Sequence, residues 1–113
     1  MALYYELPVF KATYDLCRDI YLYTKDYPRE YKYTLGQEMK QDCMQLLRQI
    51  YRANRAKAKK DDLDEFMDTF ETLKMQLRLS ADMDILSLKR QAQLARDMDK
   101  IGRQITGWSK ASS

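Results

Sequence analysis

Residues 35–53, LGQEMKQDCMQLLRQIYRA, decide the fold. Leu35, Met39, Cys43, Leu46, Ile50 and Ala53 recur at steps of three and four. That spacing draws one apolar stripe along a helix, as the seam of a helical bundle requires. Upstream, Phe10, Tyr14, Cys17, Ile20, Tyr21 and Thr24 follow the same steps and predict a first helix over about 8–26. Pro8 suits its first turn, and Pro28 is expected to end it. The helix of the opening stretch is expected over about 31–58, with Gly36 reserved for close helix approach. Downstream, Leu63, Phe66, Met67, Phe70, Leu73, Leu77 and Ala81 predict a third helix over about 61–83. Asp61, Asp62, Asp64 and Glu65 crowd its first turn, where negative charge favours the helix dipole. Gln91, Leu94, Ala95, Met98, Ile101 and Ile105 predict a fourth helix over about 87–108, with Ser87 as its N-cap and the KASS tail frayed.

Four helices with short connections give an all-α, up-down-up-down antiparallel four-helix bundle. The 113 residues fit one domain, 1–113, and 3 Gly and 2 Pro leave little punctuation for a many-turned β fold.

The same totals narrow the function. There is no histidine, so histidine acid–base chemistry and histidine metal ligation are excluded. No phosphate-binding glycine loop, dinucleotide loop or CxxC pair occurs. Neither a cofactor nor an enzymatic role is therefore expected. Cys17 and Cys43 are too few for a disulfide scaffold and fall at apolar helix positions, as buried free thiols would. No apolar run reaches the roughly 20 residues of a membrane span. MALYYELPVF lacks the basic and apolar regions of a secretory signal, and a cytoplasmic chain is expected.

Net charge is only +3, but it is unevenly spread. Residues 40–60 carry seven basic groups and one acid. Residues 61–85 carry eight acids and two basic groups, and residues 87–110 six basic groups and two acids. Arg48, Arg52, Arg55 and Lys59, at steps of 4, 3 and 4, form one stripe opposite the second helix's seam. Lys89, Arg96, Lys100 and Arg103 form another on the fourth helix. Each stripe could neutralise several nucleic-acid phosphates, or simply be a solvated face. The second and fourth helices lie diagonally in a simple bundle, so one monomer need not join the stripes.

Some apolar residues have no home in one bundle. Tyr33, Met44, Leu47 and Tyr51 form a second line on the second helix, and Met75 and Leu79 face away from the third helix's core. A partner explains stacked apolar residues on two helices better than chance exposure does, and homo-oligomerisation is expected. Lys74 and Arg78, four residues apart, sit at the edge of the third helix's inward arc. They either snorkel along a groove, with Asp82 pairing Arg78, or hold two cations ready for a phosphate or acidic partner.

The segments LPVFKATYDL, YPREYKYTLG, QIYRANRAK, LRLSADM and IGRQITGW occur in this order. Together they resemble the small four-helix-bundle proteins related to the 23S ribosomal RNA intervening-sequence protein. Within that group they look most like the accessory variability determinant of diversity-generating retroelements. The resemblance implies a basic, barrel-shaped homopentamer that binds the element's reverse transcriptase and its template-repeat RNA or RNA/DNA hybrid. It implies support of mutagenic cDNA synthesis and retrohoming, without catalysis by the chain itself. It also implies that the basic pair in the frame LKMQLRL, here Lys74 and Arg78, engages the reverse transcriptase. Lysine at the first position keeps the charge but loses the planar fork of arginine. Tyr31 and Tyr33 of YPREYKYTLG read mainly as corner residues, although tyrosine beside Arg29 and Lys32 can also stack on bases. The other reading of the whole chain is a structural or protein-interaction bundle of the intervening-sequence type, with no specific RNA function.

Overall fold

The computed structural model describes residues 2–112. A 3-10 turn at Tyr4–Glu6 leads into α1 (Pro8–Thr24), a short α2 (Arg29–Lys32), α3 (Leu35–Arg55), α4 (Lys60–Asp82) and α5 (Leu88–Ala111). No strand occurs among the described residues. The long helices pack as α1 on α3, α3 on α4, α4 on α5 and α5 on α1, so α3 and α5 lie diagonally. The result is the expected four-helix bundle, 43 Å long and 22 × 21 Å across.

The seam of the opening stretch is where the spacing put it. Met39, Cys43, Leu46, Ile50 and Ala53 are all buried, and Leu35 packs against them from the edge. They meet Phe66 and Phe70, whose rings stack with centroids 5.5 Å apart, and Leu94, Met98, Ile101 and Ile105. Cys17 and Cys43 are buried free thiols. The Cys17 thiol reaches the Cys43 carbonyl at 3.5 Å. Its contact with the Cys43 sulfur, together with burial, pushes the Cys43 thiol far up, so this thiol stays protonated and inert.

The phase of α1 differs from expectation. Its buried face is Val9, Thr13, Leu16, Cys17, Ile20 and Thr24, while Tyr14 and Tyr21 are exposed and Phe10 is half-buried. Tyrosine keeps its hydroxyl wet, so Val9 and Leu16 turn inward instead. On α5, Ala95 is exposed rather than inside.

The ends of the helices differ as well. α1 stops at Thr24, four residues before Pro28, which has no N–H to offer the Thr24 carbonyl and disfavours helix at Tyr27. The Asp26 and Tyr27 N–H groups close the end on the Tyr23 and Thr24 carbonyls at 3.1 and 3.2 Å. Pro28 also starts α2, and Tyr27 is buried beneath the corner with its hydroxyl 3.9 Å from the Met39 sulfur. Thr34, at φ −118 and ψ −91, separates α2 from α3, so the expected single helix from 31 is two. Gly36 is where the corner closes. A Cβ there would sit 3.3 Å from the Tyr31 carbonyl oxygen and 3.6 Å from the Thr24 Cβ. α3 ends at Arg55, not 58, since Ala56 is already extended.

Asp84, at φ 60, closes α4. The Asp84 N–H donates to Ala81 and the Ile85 N–H to Ser80, each at 3.0 Å, which is the pairing of a Schellman turn with aspartate in the usual glycine place. Ser87 then caps α5 by accepting from the Arg90 N–H at 3.2 Å.

Candidate functional site

Lys74 and Arg78 project from α4 beside α5. They border a cavity of about 170 Å³ floored by Leu77, Ala95 and Met98, with Asp99 opposite. That volume is below the roughly 300–1,000 Å³ of small-molecule sites and suits one or two side chains of a partner. The cleft continues along α5 past Met67, Gly102 and Arg103. Lys74 Nζ pairs with Glu71 at 3.1 Å and lies 5.0 Å above the Phe70 ring. Arg78 makes no ion pair among the described residues, so the expected Asp82 pairing does not form. One cation of the pair is thus steadied by its own helix, and the other is uncommitted.

The basic stripes divide in the same way. Arg48 and Arg52 are exposed on α3 with no partner among the described residues. Arg55 donates to the Tyr51 hydroxyl at 3.0 Å. Together with Tyr51 these three arginines line a broad open groove. Lys59 leaves the stripe, because α3 has ended before it. It folds back to donate to the carbonyls of Ala53, Asn54 and Ala56 at 2.8, 3.2 and 2.8 Å. It also lies 5.9 Å over the Trp108 ring. The Lys59 side chain thus caps the end of α3 from the residue that opens α4, and its charge is spent on the bundle. On α5, Lys89, Arg96 and Lys100 are exposed and unpaired among the described residues, while Arg103 meets Asp99 at 3.3 Å. With α3 and α5 on a diagonal, the two stripes face opposite sides of one subunit.

Of the second apolar line, Met44 and Tyr51 are exposed on α3, and Met75 and Leu79 on α4. Leu47 is half-buried against the core, so it belongs to the bundle. Tyr33 is exposed but lies before the Thr34 break, off the α3 line. The N-terminal turn, which periodicity does not reveal, covers part of this side. Tyr4 stacks edge-on against Tyr51 at 5.2 Å, and Asn54 donates to the Ala2 carbonyl at 3.0 Å.

Polar ties also escaped the helical pattern. Gln93 donates to Asp19 at 3.1 Å and accepts from the Tyr23 hydroxyl, stitching α5 to α1. Burial raises the Asp19 carboxyl, and Asp97 and Asp15 add to this against Arg18. Arg90 reaches Asp26 at 2.8 Å across the Tyr23 ring.

A family model described as bAvd-like, for the bacterial accessory variability determinant, matches residues 9–112. The chain belongs to the bAvd-like family. That match takes in all four long helices and both basic faces. No curated protein matches the chain. Membership agrees with the resemblance drawn from YPREYKYTLG and IGRQITGW, which both lie within the matched residues. No helix among the described residues is long and apolar enough to cross a membrane.

Proposed function

We propose that the chain is a non-catalytic, cytoplasmic accessory subunit of a diversity-generating retroelement. In this reading it assembles as a homopentamer and binds the element's reverse transcriptase. It also binds template-repeat RNA or the RNA/DNA hybrid, and so supports mutagenic cDNA synthesis and retrohoming. Family membership over residues 9–112 carries the reading.

The α4–α5 cleft is the reverse-transcriptase site. Its apolar floor is narrow, Lys74 is pre-positioned by Glu71, and Arg78 is free to take a carboxylate in two parallel hydrogen bonds. The α5 stripe of Lys89, Arg96, Lys100 and Arg103 is the first nucleic-acid face, and Arg48, Arg52 and Arg55 on α3 are the second candidate. A Lys74→Glu/Arg78→Glu variant tests the cleft by co-purification with a co-expressed reverse transcriptase of the retroelement. Loss of the enzyme with circular dichroism unchanged is the expected result. Undiminished co-purification removes the two residues from the site.

A further inference from the structure

Two outward faces combine exposed apolar side chains with a run of one charge. On α3, Met44 is 49% exposed and lies beside Arg48, Tyr51 and Arg52. On α4, Met75 and Leu79 are 63% and 49% exposed, with Glu65 and Asp68 further up the same face. Arg48, Arg52, Glu65 and Asp68 make no ion pair among the described residues.

The two faces are in register. Gln49 Nε2 donates to Thr69 Oγ1, and Gln76 Nε2 to Asp42 Oδ2, each at 3.0 Å. These pairs fix how the antiparallel helices α3 and α4 slide past one another. In that alignment Met44 stands at the height of Met75. Arg48 and Arg52 stand at the height of the Glu65–Asp68 stretch. Apolar is level with apolar, and positive with negative.

We propose that the α3 face of one copy docks on the α4 face of the next, closing a head-to-tail ring with the bundle axes along the ring axis. Rotation about that axis leaves height unchanged, so the level match on one subunit becomes contact between neighbours. A two-fold dimer through either face would set like charges against each other. Neighbouring corners of a four-helix bundle face about 90° apart, and a closed ring of n copies needs faces 180° − 360°/n apart, about 90° for four copies and about 108° for five. The assignment rests on the self-association proposed above. It spends the α3 arginines on the neighbouring subunit and leaves the α5 stripe for nucleic acid.

Light scattering coupled to size exclusion tests it on the full chain. Arg48→Glu/Arg52→Glu and Glu65→Arg/Asp68→Arg should each give a folded monomer near 13.5 kDa. Combining all four substitutions should restore the wild-type mass, because the reversed charges again face each other. A combined variant that stays monomeric with wild-type circular dichroism overturns the interface. So do double variants that keep the wild-type mass, and if the α3 pair then loses RNA affinity, that face belongs to nucleic acid. A monomeric wild type overturns self-association itself.

Discussion

Replacing Lys59 with methionine separates a structural cation from a nucleic-acid contact. The ammonium satisfies three carbonyls at the end of α3, at 2.8, 3.2 and 2.8 Å. A hydrogen bond to a charged group contributes about 1.5–3 kcal/mol when its partner would otherwise be left dry. The site is only half-buried, so water replaces much of this. Ordering the lysine stem opposes this gain by ~1.5–2 kcal/mol, a cost that methionine also partly bears. Adding about 0.5 kcal/mol for a cation at a helix C-terminus, the net loss is about 2 kcal/mol. A chain of 113 residues unfolds with an entropy of about 0.24 kcal/mol per kelvin, so Tm should fall by about 8 °C. Lys57→Met, at an exposed neighbouring position, should stay within about 0.5 kcal/mol of wild type. Differential scanning fluorimetry reads the stability, and the salt dependence of RNA binding reads the other role. A Lys59→Met variant with unchanged Tm and a shallower salt slope would refute the capping argument.

Gly36→Val should lower Tm by the equivalent of about 1–3 kcal/mol, because its methyls have only the Tyr31 carbonyl and Thr24 to push against; an unchanged Tm means the corner can open. Asp84→Gly should raise Tm by about 2–4 °C, since glycine relieves roughly 0.5–1 kcal/mol at the left-handed position. Neutralising Lys89, Arg96 and Lys100 to glutamine should make the plot of log affinity against log salt shallower by about 2 for single-stranded RNA, if each meets a phosphate. Burial raises the Tyr27 phenol, with Ser80 offsetting part of the shift. The folded chain therefore stays protonated where the unfolded one has ionised. Stability is flat with respect to this group below the ordinary phenol value of about 10 and declines as pH rises through the folded value. Tm of Tyr27→Phe should accordingly fall less steeply above about pH 10, and parallel curves would show that Tyr27 is not the group involved.

The α3 seam was legible because its apolar residues have no polar atoms to compete with burial. α1 was not, because Tyr14 and Tyr21 fit the spacing as well as Val9 and Leu16 did. Only packing reveals that Thr13, with no apolar signal at all, is fully buried. Helix ends were legible only to within a few residues, because the exact stop depends on local backbone geometry. Pro28 ends α1 as its chemistry implies, four residues ahead of itself at Thr24, and Asp84 turns the chain where glycine is the usual cue. The charge stripe on α3 was right for as long as the helix lasts. Lys59 fell off it because a periodicity argument assumes that the helix continues. The groove position of Lys74 and Arg78 was legible as the edge of an inward arc, but Glu71, not Asp82, supplies the ion pair.

The segregation of charge is more informative than its sum. α3 and α4 are adjacent and antiparallel, one basic and one acidic, yet none of the ion pairs among the described residues joins them. The side-chain ties between them are uncharged on at least one side: Gln49 to Thr69, Gln76 to Asp42, and the Ser80 hydroxyl to the Met39 sulfur. Opposite charges that could have closed the bundle's own seam are held about a quarter-turn apart on its corners, as the packing of a four-helix bundle dictates. For a lone monomer this arrangement forgoes attraction within the chain and keeps Met44, Met75 and Leu79 in water. In the proposed ring the same corners would face one another, the apolar side chains would leave water, and the charges would meet in a partly dry interface where salt screens them less. The chain therefore carries its unpaired opposite charges and exposed apolar side chains on its outer corners, which is what the proposed ring would use.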